Sequence, residues 1–158
     1  MNGRRITGVV LCLPALLVGL ILLLAACSAF SQPPSQSETP RLGGTDWQLV
    51  KFQGSDDMTL TPDDKTKYTI AFAEDGRLSV RVDCNRGLGT WKSSGPNQIQ
   101  FGQLALTRAM CPPGSLHDQI VKHWGFVRSY ILKDGHLFLS LMADGGIYEF
   151  EPIADARS

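Results

Sequence analysis

Beyond residue 43 the chain breaks into short apolar runs separated by Gly, Pro, Asn and Asp, and most of these runs alternate with a period of two. Such alternation predicts half-buried strands. Trp47 to Phe52 reads as a first strand, although its apolar residues fall on both faces. Ser55 to Lys67 follows as a surface loop, with Asp56, Asp57, Asp63 and Asp64 around Pro62. Its acids lack the alternating spacing and closing glutamate of a calcium loop. Tyr68–Phe72 and Leu78–Val82 alternate on either side of Glu74-Asp75-Gly76-Arg77 and predict an antiparallel hairpin. At Cys84 the alternation stops, and Asn85, Gly87 and Gly89 predict a bulged strand junction whose glycines let the backbone bend. Gln98–Phe101 is a further strand.

Pro112-Pro113-Gly114 ends the next segment, and Ser115 with Asp118 resembles a capping box opening a helix from Leu116 to about Arg128. At ~100° per residue, Leu116, Ile120, Trp124 and Val127 form one stripe on that helix. Tyr130–Lys133 and His136–Leu141 flank Asp134-Gly135, a two-residue hairpin turn, and Ile147–Glu151 is the last strand. Strands before and after a single helix predict an α+β domain, mainly antiparallel β. The expected form is a curved or partly closed sheet of about seven to eight strands with one covering α-helix.

The N-terminus has a different pattern. Arg4 and Arg5 precede eighteen uncharged residues, Val9 to Ala26, and the run ends Leu24-Ala25-Ala26-Cys27. Basic flank, apolar run and cysteine in that order resemble a lipoprotein signal peptide over residues 1–26, with Cys27 as the lipidated residue. An uncleaved transmembrane anchor is the alternative, since eighteen apolar residues approach the length that spans a bilayer. Either reading exports the rest. Residues 27–42 are expected to be a disordered tether, because Ser31 to Pro40 is too polar to bury itself. Residues 43–152 are then the domain and 153–158 a tail. In a Gram-negative cell, Ser28 after Cys27 points to the periplasmic face of the outer membrane.

Without Arg4 and Arg5 the 15 basic residues become 13 against 15 acidic, a formal charge of −2. The basic residues are scattered singly, so the chain carries no nucleic-acid signature. His123 falls on the helix's apolar stripe and is expected to be a core or rim histidine bonded to a backbone carbonyl. His117 lies about 120° from it, which excludes an i,i+4 metal pair. His136 flanks the Asp-Gly turn and is expected to be exposed.

Cys84 and Cys111 are the two cysteines outside the apolar N-terminal run and Cys27. They are expected to belong to one site. In an oxidising compartment a disulfide is the expected state, worth about 3 to 4 kcal/mol by loop-closure entropy. Two unpaired buried thiols, or a reactive or metal-binding pair, are the alternatives. A redox site would show Cys-x-x-Cys, and zinc needs further ligands.

Cys84-Asn85 followed by Gly89 and Trp91, then Thr107-Arg108-Ala109-Met110-Cys111, with Trp47 and Leu49 before and Leu137, Leu139 and Phe150 after, resemble the META domain, also called the HslJ-like domain. The resemblance covers roughly Gly43 to Pro152 and rests on Cys84, Asn85, Gly89, Trp91, Thr107, Arg108, Met110 and Cys111 as its motif residues. It implies a compact β-rich domain with one helix, often exported or lipid-anchored in bacteria and linked in some members to stress tolerance. It implies no catalytic residues. Members often carry a glutamate in the helix after the second cysteine; here the helix offers Asp118, Gln119, Lys122 and His123.

The expected function is therefore a non-enzymatic one in the bacterial cell envelope, as an interaction, maintenance or stress-tolerance module held to the membrane by its lipid and acting as a monomer. No cofactor or metal is expected. The alternative is a binding module for a small ligand or peptide at the open end or edge of the sheet, with Trp91, Trp124 and Arg108 near the cysteines as its candidates. A hydrolytic enzyme would need His123 close to Ser129 or Asp118 in a cleft.

Overall fold

The computed structural model describes residues 41–153. The expected signal segment, Cys27, the expected tether up to residue 40 and the expected tail beyond residue 153 lie outside the described residues.

Ten strands run antiparallel to their neighbours: β1 (Thr45–Gln53), β2 (Thr59–Leu60), β3 (Tyr68–Phe72), β4 (Arg77–Val82), β5 (Asn85–Gly95), β6 (Gln98–Phe101), β7 (Ala105–Leu106), β8 (Val127–Lys133), β9 (His136–Leu141) and β10 (Ile147–Pro152). Eight of them close into a barrel in the order β1-β3-β4-β5-β6-β8-β9-β10, with β10 returning to β1. This corrects the expected curved or partly closed sheet. First and last strands meet over a long register, from Trp47 opposite Pro152 to Gln53 opposite Ile147. Closure pairs backbone groups that would otherwise form two exposed edges.

The two-faced pattern of β1 has a local cause. Its register against β10 shifts between Leu49 and Lys51, so the strand changes phase there. Trp47 and Leu49 before the bulge and Phe52 after it are then all buried. β8 does the same between Val127 and Ser129, which turns Val127 and then Tyr130 and Leu132 to the core. The interior is filled by these side chains with Tyr68, Ile70, Phe72, Leu78, Val80, Val82, Ile99, Phe101, Leu137, Leu139, Leu141 and Tyr148.

The loop over 55–67 is more structured than expected. It contains β2, which pairs with the end of β1, and a 3₁₀ turn at Lys65–Lys67 capped by Asp64. Lys65 reaches Glu151 of β10 at 3.0 Å, and Lys67 pairs with Asp63 at 2.7 Å.

Helix α1 spans only His117–His123, shorter than the sequence suggests. Its N-cap is Leu116, while Ser115 Oγ accepts from His117 N at 3.2 Å and Asp118 turns to His117 and not back to Ser115. Trp124–Phe126 is a 3₁₀ turn, and β8 begins at Val127. Gly125, a poor helix former, sits where the helix gives way. Leu116, Ile120 and Trp124 still pack on the barrel as the stripe predicts.

Near the middle of the ring β6 and β8 share one paired position, Gln98 with Ser129. Beyond it the chain of β6 bends through Gly102 to β7, which follows β5 instead. Trp124 sits at this divergence: it stacks on Phe101 at 4.5 Å and donates its indole N–H to Gly102 O at 2.9 Å.

Candidate functional site

The Cys84 region is a tight hairpin turn, where a bulged junction was expected. Val82 pairs with Asn85, leaving Asp83-Cys84 as a two-residue turn with Asp83 at φ 56°. Asp83 is buried at this turn. Its N–H donates to Lys67 O at 2.7 Å, and its carbonyl accepts from Arg81 Nε at 3.2 Å.

Cys84 and Cys111 are joined by a disulfide, with their Cα atoms 5.4 Å apart and a sequence separation of 27. Beside it Asn85 is 1% exposed. Its Oδ1 accepts from Thr107 Oγ1 at 2.9 Å and from Ala109 N at 2.8 Å. Its Nδ2 donates to Ala109 O at 3.0 Å and lies 3.3 and 3.4 Å from the two sulfurs. Thr107 also accepts from Arg86 N at 3.0 Å through Oγ1 and donates its own N–H to Arg86 O at 2.9 Å. Every polar group of the Asn85 amide is therefore matched, as burial requires. The arrangement is a clamp: one covalent bond and one buried amide fasten the 107–111 segment to the start of β5.

Beside this clamp Gly87 and Gly89 allow the 103–106 segment to approach β5 closely, and neither takes a positive φ. A Cβ on Gly87 would sit 2.5 Å from Ala105 O and 2.6 Å from Leu106 Cδ2. Gly87→Ala is expected to lower stability by about 1 to 3 kcal/mol through overpacking. Gly125→Ala, where nothing lies within 4 Å, should change it little. Thermal unfolding of the two variants checks the contrast, and equal losses would contradict it.

The other motif residues do not converge on the disulfide. Trp91 stands seven residues along β5 from Cys84, a separation of roughly 20 Å at strand rise. Its ring meets Phe72 edge-on at 5.4 Å and its Nε1 donates to Ala73 O at 3.1 Å. Arg108 and Met110 are exposed, Met110 at 98%, and Arg108 caps neither tryptophan. The expected grouping of Trp91, Trp124 and Arg108 at the cysteines is thus not formed.

Sequence reasoning missed the partners of His123. Its Nδ1 lies 2.9 Å from the Tyr148 hydroxyl and its Nε2 3.3 Å from Gln119 Nε2, so the bond is to a side chain and not to a backbone carbonyl. Neither Ser129 nor Asp118 reaches it. Tyr148 belongs to a strand 25 residues away, so no local signal pairs the two. Phe52 packs on both rings, at 5.1 and 4.5 Å. Burial, then the neighbouring Lys122 charge, hold the His123 imidazole below the ordinary histidine range, and burial pushes the Tyr148 phenol up.

The folded state therefore prefers neutral His123. This contribution is complete above the unfolded histidine value of about 6.5 and is lost as pH falls through it, levelling off below the folded value. The urea midpoint is expected to fall more between pH 7.5 and 5 for the wild type than for His123→Gln. Parallel slopes would contradict the assignment. His136, expected to be exposed, is half-buried against Glu149 at 2.9 Å.

Within the barrel the free space is ≈ 40 Å³, among Ile70, Val80, Phe101, Ile120, His123 and Tyr148. Ligand sites occupy about 300–1,000 Å³, so the interior is a core and not a ligand cavity. Wider hollows lie outside it, and two of them reach ≈ 420 Å³ or more. One, ≈ 540 Å³, borders β5 and β7 at Ser79, Arg86, Leu88, Ala105 and Leu106. The other, ≈ 420 Å³, lies at the barrel end away from the disulfide, between Arg41, Leu42, Glu74, Trp91, Ser93 and Tyr130.

A family model described as META domain matches residues 40–154. No curated protein matches the chain. Among solved structures, an NMR structure of a protein from Burkholderia xenovorans is 20% identical, with a TM-score of 0.59 over 77% of this chain and 97% of that one. A crystal structure of a DUF4847 family protein from Bacteroides vulgatus ATCC 8482 is 16% identical, with a TM-score of 0.51 over 70% of this chain and 93% of that one. At these identities the likeness is one of fold.

Proposed function

Because this chain belongs to the META domain family, we propose that it is a lipid-anchored display module of the bacterial envelope that acts by interaction and not by catalysis. The observation that carries this reading is the clamp. The feature at which Cys84, Asn85, Thr107 and Cys111 meet has both sulfurs in a disulfide and its buried amide fully hydrogen-bonded, which leaves neither a free thiol nor an unpaired amide there. Among the described residues no group of three or more His, Cys, Asp or Glu is placed to hold a metal.

Export supports the same reading from the sequence side. A disulfide belongs to an oxidising compartment, and the basic flank, apolar run and Cys27 supply the route to one. Ser28 favours the periplasmic face of the outer membrane in a Gram-negative host, and the module works there as a monomer. Lipidation is tested by Cys27→Ser. The variant is expected to leave the membrane fraction, or to remain as an unprocessed precursor, while the wild type sediments with membranes. A Cys27→Ser chain that sediments at its mature mass would contradict the anchor.

A further inference from the structure

The hollow at the barrel end away from the disulfide combines features that the filled interior and the β5–β7 hollow lack. Its floor is Leu42, 2% exposed. Trp91 and Tyr130 line it, and the Trp91 N–H is already committed to Ala73 O, so the indole offers carbon surface. Ser93 likewise donates to Gly95 O. Arg41 and Glu74 stand on the same rim with opposite charges. They form no ion pair with each other, and among the described residues neither has a side-chain hydrogen bond or ion pair to any protein group.

Two uncommitted opposite charges beside an aromatic-lined hollow match a ligand that carries both charges and an apolar group. A guanidinium takes a carboxylate, a carboxylate takes an ammonium, and Trp and Tyr take large apolar surface. At ≈ 420 Å³ the hollow is within the range of small-ligand sites. We propose that it is a binding site for a free α-amino acid with a large apolar side chain. Arg41 holds the carboxylate, Glu74 the ammonium, and the side chain lies against Trp91 and Tyr130. A segment from the middle of a peptide lacks both charges and fits less well. This goes beyond the display role and holds with or without the lipid, so its failure leaves that role standing.

The test is an NMR titration of the full chain in detergent, following the Trp91 indole N–H, with L-phenylalanine, N-acetyl-L-phenylalanine and L-phenylalanine amide as probes. L-phenylalanine is expected to shift the signal saturably with Kd near ~1 mM, and either capped form to bind about tenfold more weakly. Glu74→Gln should erase the preference over the N-acetyl form, and Arg41→Gln the preference over the amide. Both side chains are exposed, so thermal midpoints should match the wild type and keep loss of binding distinct from loss of fold. No saturable shift, a shift insensitive to both variants, or equal binding of all three probes would overturn the proposal.

Discussion

Asn85→Ala is expected to cost the oxidised protein about 2 to 4 kcal/mol of unfolding free energy, a large share of a small domain's total. The substitution removes acceptor and donor together, and Ala109 N–H and C=O and the Thr107 hydroxyl, on residues that are themselves exposed, lose the buried amide that holds them. Water reaches these groups in part, so each lost bond costs about 1 kcal/mol, and the volume vacated at the buried amide adds to the sum. Asn85→Asp separates the two functions. It keeps an acceptor for Thr107 and Ala109 N, but sets a second oxygen against Ala109 O where Nδ2 now donates, so at neutral pH it should lose nearly as much. Urea unfolding of the three proteins, without reductant, measures this. A loss below ~1 kcal/mol for Asn85→Ala would mean the amide is not a clamp.

The second large effect is loss of the disulfide. A loop of 27 residues closed by Cys84 and Cys111 restricts the unfolded chain by about 3 to 4 kcal/mol. Cys84→Ala and Cys111→Ala should destabilise similarly, and the double variant little further, because either change breaks the same bond. Asn85→Ala placed on the double variant should cost less than it does alone. Without the bond, the 107–111 segment is free to move away and rehydrate the groups that Asn85 held. Full additivity would separate amide and disulfide into independent features.

Much of this barrel is written locally in the chain. Alternation located β3, β4, β6, β9 and β10, Asp134-Gly135 marked the β8–β9 turn with φ values of 53° and 78°, and the stripe Leu116, Ile120, Trp124 located the helix. Closure was not legible, since it depends on β1 meeting β10 across contacts such as Gln48 with Glu151, 103 residues apart. The bulge that buries Phe52 was visible only as an anomaly, apolar residues on both faces of one strand. Helix length failed because Val127 satisfies the helical stripe and the strand equally, and its burial is met in β8.

For the site, the cysteine pair and Asn85 were legible because Cys84 and Cys111 stand apart from the other two cysteines, each beside a break in the strand pattern. The grouping of Trp91 with them was not, because neighbours in a motif diverge along a strand: seven residues of β5 carry Trp91 toward the opposite end of the barrel. Arg41, Glu74 and Tyr130 gave no signal, coming from three segments that only the closed barrel brings together. Arg108 and Met110 are exposed despite their place in the motif, and nothing among the described contacts explains their presence there.

The account rests on Cys84 and Cys111 being a structural bond in a lipid-anchored chain, and intact-mass measurement of protein taken from its own membranes, alkylated with and without prior reduction, tests that most directly. The predicted result is a chain beginning at Cys27 with added lipid mass, and two further alkyl groups on Cys84 and Cys111 only after reduction. Free, readily alkylated Cys84 and Cys111 in the unreduced native protein would contradict it.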